Sequence, residues 1–301
     1  MSMSDIKLFH IAKNKITELE GKSVSVEKSL QSLIENHLEG FLGIKFLATE
    51  YSTGVKHGGR IDTLGIDENN CPVIIEYKRA TNENVINQGL YYLDWLLDHK
   101  AEFQILVMQQ LDKKTSESIE WENARLICIA GDYTKYDSYA VQQIKRNIEL
   151  IRYKKYEDLL LLELVNSVSG NAPVNEKPTK KIKYSTVNVL LANSSNKVKD
   201  LFEAAKSFLI ALGDDVQLKE LKYYYAFKKI KNIASLEIHP KNDSIVMFVW
   251  LDPKSVRLEK GFTRDVTKLG HFGTGNLEIT INCMNDFEKA KPLLIKSYEL
   301  N

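Results

Sequence analysis

Asp62, Glu76 and Lys78 are residues whose types and spacing could do hydrolytic chemistry. Asp62 interrupts an apolar run, Ile61-Asp62-Thr63-Leu64-Gly65-Ile66. A polar turn follows, Asp67-Glu68-Asn69-Asn70, and then a second β-rich run, Pro72-Val73-Ile74-Ile75-Glu76-Tyr77-Lys78. Two short strands joined by such a turn make a hairpin. Alternate side chains of a strand share a face, so Glu76 and Lys78 project together, opposite Ile75 and Tyr77. Val73 or Ile74 would join that face only if the register slipped, which places the charged pair at the strand's end. Asp62 reaches the same end across the hairpin. Two carboxylates suit a hard cation such as Mg2+ or Mn2+, which prefers oxygen ligands and keeps several waters. A lysine beside them can orient a water or stabilise charge on a phosphoryl oxygen. This is the equipment of metal-assisted phosphodiester hydrolysis. On these three residues alone, an ordinary hairpin with solvated charges fits equally well.

Two further features bear on the choice. The charges interrupt strands that otherwise read as buried. Downstream, Gln88 and Tyr92 are four apart on a predicted helix, hence on one face. In this order the elements resemble the PD-(D/E)XK nuclease superfamily, where a lone Asp precedes a Glu-x-Lys strand. The Gln88-x-x-x-Tyr92 element is similar to that of its RecB-like and NucS-like branches, and the match is closest to the NucS-like endonuclease domain. Where the superfamily has Pro-Asp, this chain has Ile61-Asp62. The resemblance covers roughly residues 25–155.

It implies a restriction-endonuclease-like α/β fold, a mixed sheet flanked by helices, with an αβββαβ core. It implies Mg2+ (or Mn2+) held by Asp62 and Glu76, Lys78 positioning the attacking water, and Gln88 and Tyr92 orienting Lys78 or the substrate phosphate. Members carry a further glutamate on a helix before the Asp. Glu27 is the first candidate, Glu35 the second and Glu50 the third. Apart from the resemblance, the glycine pair in His57-Gly58-Gly59-Arg60 permits close backbone approach, so this segment either lies at the mouth of the site and meets a phosphate through His57 and Arg60 or is a flexible turn; Arg79 is a further substrate-binding candidate. The implied partner is DNA, with single-stranded, branched and mismatched duplex forms equally compatible. A homodimer is compatible with the sequence.

The helical spacing of Val26, Leu30, Leu33, Ile34, Leu38 and Phe41 predicts a helix over 25–41, capped by Ser23 or Ser25. Residues 44–48 read as a strand. A helix capped by Thr81 or Asn82 runs to about Leu97. The continuous apolar runs Phe103–Met108 and Arg125–Ala130 read as buried strands, 136–146 as a helix and 148–153 as a strand. Strand–helix alternation argues for a layered α/β domain.

The 301 residues suggest two domains, taken as 1–165 and a smaller α+β unit over 184–301. Between them, 166–183 loses apolar content, gains Pro, Gly and lysines, and reads as a linker, whose Lys177, Lys180, Lys181 and Lys183 could touch a phosphate backbone or simply be solvated. The second unit has a helix over 198–212 closed by Gly213, strands over 223–229, 234–239, 245–251 and 277–282, and a closing helix. Its Tyr223-Tyr224-Tyr225 with Lys228, Lys229 and Lys231 permits base stacking or simply a lysine-rich rim. Gly270-His271-Phe272-Gly273-Thr274-Gly275 lacks the spacing of a phosphate-binding loop. This half is similar to an uncharacterised module found after NucS-like domains.

With 41 basic and 40 acidic residues the net charge is +1, so no bulk field draws nucleic acid and any binding rests on a local patch. Cys71, Cys128 and Cys283 lack metal spacing and read as free thiols in a reducing cytoplasm. Neither a signal peptide nor a membrane span is expected. The reading is a metal-dependent DNA endonuclease. Its alternative is a nucleic-acid-binding or regulatory protein that keeps the scaffold without cutting.

Overall fold

The computed structural model describes residues 6–13, 15–21, 27–78, 85–168 and 185–301. The chain divides into two compact units, Met1–Pro173 and Val174–Asn301. In the first, a hairpin of β1 (Leu8–Ala12) and β2 (Lys15–Leu19) precedes α1 (Glu27–Asn36), α2 (Leu38–Leu42) and β3 (Ile44–Ser52). Then come α3 (Gly54–His57), β4 (Arg60–Asp67), β5 (Pro72–Lys78), α4 (Val85–Asp98), α5 (Lys100–Gln110) and α6 (Lys113–Glu117). The unit finishes with β6 (Arg125–Ala130), α7 (Lys135–Gln142), β7 (Asn147–Tyr156) and β8 (Leu159–Val168). Strands β3 to β8 form one six-stranded sheet in chain order. β5, β6 and β7 run parallel, and the other pairs are antiparallel. This is a mixed sheet flanked by helices, as expected.

The β4–β5 hairpin closes for a local reason. The Asp67 carboxylate accepts from the backbone N–H of Asn69 and Cys71, both at 2.9 Å, and Asn70 takes a left-handed φ of 60°. Short polar side chains that bond their own backbone favour such turns. Leu64, Ile66 and Ile74 enter one core with Leu126, Cys128, Ile148 and Leu150 and with Leu93 and Leu96 of α4. Ile74 thus shares the face of Glu76 and Lys78 with no register slip, which corrects the expectation: a period of two puts 74, 76 and 78 on one side. On the opposite face α1 packs against β4 and β5.

The run 103–108 is helix α5 and not a strand. Only Phe103 and Val107 are buried there, while Ile105 and Met108 are about half exposed. A spacing of four, not continuous burial, governs that segment. β8 extends to Val168, so it takes in the first three residues of the expected linker; the rest of 169–184 lies outside the described residues, as do Lys177, Lys180, Lys181 and Lys183.

The second unit holds α8 (Val187–Ala192), α9 (Asn196–Ile210), β9 (Gln217–Glu220), β10 (Tyr225–Lys228), β11 (Asn232–His239), β12 (Ser244–Val249), β13 (Thr263–Asp265), β14 (Leu277–Ile281) and α10 (Met284–Leu300). Its antiparallel sheet has the order β13-β14-β12-β11-β10-β9. Leu236, Met247 and Ile279 pack on Leu201, Phe202 and Leu294, so the helices cover one face. Short edge strands β9 and β13 were not expected from the sequence. Tyr224, Tyr225 and Phe227 are buried, so the tyrosine cluster is mainly core and not an exposed stacking surface. Cys71 and Cys128 are buried free thiols and Cys283 is an exposed one. Among the described residues no helix is long and apolar enough to cross a membrane.

The turn end of the hairpin is fastened by a buried ionic cluster. Arg125 donates through Nε and Nη2 to the two oxygens of Glu149, at 3.0 and 2.8 Å, and through Nη1 to Asp67 at 2.6 Å. Removing one partner of such a cluster strands the other charges in the interior. Arg125→Ala should therefore lower unfolding free energy by about 3–5 kcal/mol, read by urea denaturation.

Candidate active site

Asp62 and Glu76 meet at the open end of the hairpin. Thr63 pairs with Ile75, so one step further along the antiparallel register Asp62 faces Glu76. The two are cross-linked through the backbone. Asp62 N–H donates to Glu76 Oε1 at 3.2 Å, and Tyr77 N–H donates to Asp62 Oδ2 at 3.0 Å. Glu76 is fully buried, and its Oε2 has no hydrogen-bond partner. Burial, then the neighbouring Asp62 charge, push the Glu76 carboxyl up to about 9. Burial also raises Asp62, against the Tyr77 N–H and the Lys78 charge. Both carboxyls thus resist ionising, as expected for like charges in a desolvated place.

Lys78 Nζ lies 3.4 Å from Glu27 Oε1, with 15% of the lysine side chain exposed. Helix α1 therefore brings Glu27 to the site. Glu35, one of the alternatives, sits elsewhere: it accepts from Thr63 Oγ1 at 2.6 Å and from Gln31 Nε2 at 3.0 Å. Thr63 shares its face with Ile75 and Tyr77, away from Glu76. Glu50 lies at the rim. Its neighbours Thr49 and Tyr51 pair with Thr63 and Ile61, so Glu50 stands opposite Asp62 and extends the acidic row across three strands.

One residue of this arrangement went unforeseen. Gln31 is buried, and its Nε2 lies at 2.7 Å from the Asp62 carbonyl, 3.1 Å from Thr49 Oγ1 and 3.0 Å from Glu35. Its Oε1 accepts from Lys28 at 3.2 Å. It fixes α1 to the strand that carries Asp62. The signal was present: Glu27, Gln31 and Glu35 are spaced by four on a helix whose neighbours Leu30 and Ile34 are buried.

Gln88 and Tyr92 come together as their spacing requires. Gln88 Nε2 donates to Tyr92 Oη at 3.2 Å, and the same oxygen accepts from Arg60 N–H at 3.2 Å. The pair thus holds the start of β4. A Cβ at Gly59 would lie 2.4 Å from the Tyr92 ring, so glycine is what lets the chain pass there. His57 stacks on Tyr91 with ring centroids 4.7 Å apart, and its carbonyl accepts from Tyr91 Oη at 2.8 Å. The Arg60 side chain is exposed and ion-paired with Glu50. Arg79 and the Thr81 and Asn82 caps lie outside the described residues, as do Val26 and the Ser23 and Ser25 caps.

Among the described residues no three His, Cys, Asp or Glu side chains gather closely enough to hold a metal by themselves. A Mg2+-type ion asks less, since it commonly takes one or two carboxylates and completes its shell with water. The unpartnered, buried Glu76 Oε2 beside Asp62 is a donor set that fits such an ion.

No family model matches the chain. A protein of Haemophilus influenzae, described as uncharacterized, is 30% identical over 305 residues, covering 96% of this chain and 98% of the relative. The chain belongs to that protein's family. Membership brings no activity with it. A solved structure described as an EndoMS-dsDNA2 complex matches 44% of this chain at 19% identity and a TM-score of 0.30. The match spans 47% of that solved chain, a likeness too loose to argue from.

The pH dependence of stability follows from Glu76. Its carboxyl, ordinarily near 4.5, holds its proton up to about 9 in the folded state. The folded chain therefore binds more protons than the unfolded one between these values, and stability falls as pH rises through that window. Half of that displacement corresponds to about 3 kcal/mol. In EDTA, unfolding free energy should decline between pH 5 and about 9, and Glu76→Gln should remove most of the decline. An equal slope in both proteins would refute the assignment.

Proposed function

We propose that the first unit is a metal-dependent DNA endonuclease of the PD-(D/E)XK type. The observation that carries this reading is the opposed Asp62–Glu76 pair, one buried oxygen of which is unpartnered, with Lys78 two residues on. Asp62 and Glu76 would hold Mg2+ or Mn2+. Such an ion lowers the pKa of a bound water and offsets charge on a phosphoryl oxygen. Its binding requires both carboxyls ionised, so affinity rises with pH as the Glu76 proton is displaced.

Lys78, restrained by Glu27, presents an ammonium to the attacking water or to the phosphate. Glu27 limits where that ammonium can go. Gln31 keeps the Asp62 backbone in place from behind, and Gln88 with Tyr92 keeps the Arg60 end of the same strand in place. Four neighbours thus restrain the groups on which hydrolysis depends, and positional error of even about 1 Å is costly to such chemistry.

The test is incubation with single-stranded, duplex and branched DNA in Mg2+ or Mn2+. Glu76→Gln and Lys78→Ala should each lower the cleavage rate by about 100-fold or more while DNA binding in EDTA stays within a few-fold of the parent. If the parent binds DNA and cuts none of the three, the scaffold serves binding or regulation. If both variants cut like the parent, the activity has another source.

A further inference from the structure

Lys28 from α1 and Arg60 from β4 converge on one carboxylate, that of Glu50 on β3. Lys28 Nζ lies 2.8 Å from Oε1, and Arg60 Nε pairs with Oε2. Each oxygen therefore answers one cation, the arrangement that two non-bridging oxygens of a phosphodiester would offer the same pair. The two cations are open to solution, at 54% exposed for Lys28 and 68% for Arg60, while Glu50 is 27% exposed, with its Oε2 enclosed and held by the Arg60 charge without a hydrogen bond. Glu50 holds this place from an unusual backbone, with φ at 50° inside a strand. L-residues seldom adopt that region, and such strain gathers at functional positions. Surface ion pairs contribute little to stability, so the fold has little reason to maintain a strained residue for this one. Glu50 also stands opposite Asp62, one strand from the proposed catalytic carboxylate.

We propose that in the DNA-free protein the Glu50 carboxylate occupies a binding site for a backbone phosphate, built by Lys28 and Arg60 next to the catalytic pair. A strand entering the site displaces Glu50 and takes over both cations. This rests on the endonuclease reading for the nature of the ligand. It also suits a chain whose net charge is only +1. A local exchange of partners, not a bulk field, then governs affinity. Gln31 steadies the site from beneath, since its Oε1 accepts from Lys28 at 3.2 Å.

The sign of one substitution separates this from a structural ion pair. Binding of fluorescent single-stranded and duplex oligonucleotides to the full chain is measured by anisotropy in EDTA, across a range of salt. Glu50→Gln should tighten binding about three- to tenfold and steepen the dependence of log affinity on log salt by about 1. Lys28→Ala and Arg60→Ala should weaken binding, and Arg60→Ala should cancel most of the gain of Glu50→Gln. Glu50→Gly, which suits the left-handed backbone, should show the same gain and guards against misfolding of the first variant. Unchanged or weaker binding in both Glu50 variants, with thermal melts like the parent, overturns the proposal. A Glu50 gain in a protein that never cuts DNA leaves the phosphate site standing while the endonuclease reading falls.

Discussion

Two buried acidic pairs sit at the two ends of one hairpin, and the sheet treats them in opposite ways. At the turn end, Asp67 and Glu149 share the guanidinium of Arg125, whose Nε, Nη1 and Nη2 are all engaged. At the open end, Asp62 and Glu76 face each other with one ammonium nearby, itself drawn toward Glu27. The first cluster is compensated. In the second, a fully buried carboxyl keeps an oxygen with no hydrogen-bond partner, and its proton is held to about 9. Interiors tolerate such a group rarely, because it forfeits hydration without replacement. The sheet maintains this imbalance through its interstrand bonds and the packing of Ile74, Leu126 and Cys128 beside it. The cation site proposed for the open end rests on such an unsatisfied place, which the well-paired turn end lacks.

Helix α1 transmits the geometry. Its buried Leu30 and Ile34 anchor it, and its polar stripe divides the remaining work by turns. Glu27 restrains Lys78, Gln31 restrains Asp62 and Thr49, and Glu35 caps Thr63 on the far face. A buried glutamine with both ends bonded is costly to replace, since removing it leaves several buried groups without partners. The distance between the carboxylate pair and the ammonium thus depends on a helix lying outside the hairpin that carries them.

The hairpin was readable because period, turn chemistry and strand propensity agree over residues 60–78. So were the faces of Asp62, Glu76 and Lys78, since alternation fixes them. The run Phe103–Met108 misled because five apolar residues out of six, broken only by Gln104, erase the difference between a period of two and one of 3.6. Nothing in it marks Ile105 and Met108 as exposed. β9 and β13 have four and three residues, too short for a pattern to emerge. Among Glu27, Glu35 and Glu50, spacing could not choose. All three are compatible with the site's side of the chain, and only the packing of α1 and the pairing of β3 separate their faces. Gln31 was missed because glutamine on a helix ordinarily signals solvent.

Glycine-containing loops in the two units show why a local pattern alone does not identify a site. Around 270–275 the amides of Phe272 and Gly273 both donate to Glu237 Oε1, at 3.0 and 2.9 Å. The backbone donors that could have met a phosphate are committed to the protein's own carboxylate. A Cβ at Gly275 would lie 2.6 Å from Val249 N, so that glycine serves to lay the loop on its sheet. Gly59 permits an equally close approach, to Tyr92, but there the loop delivers Arg60 to the edge of an acidic row. What distinguishes the two places is whether polar groups remain unspent once the fold has formed. Around Glu237 both hydrogen-bonding oxygens are engaged, one by the loop and one by His239 at 3.1 Å. Beside Asp62, the Oε2 of Glu76 is still without a partner.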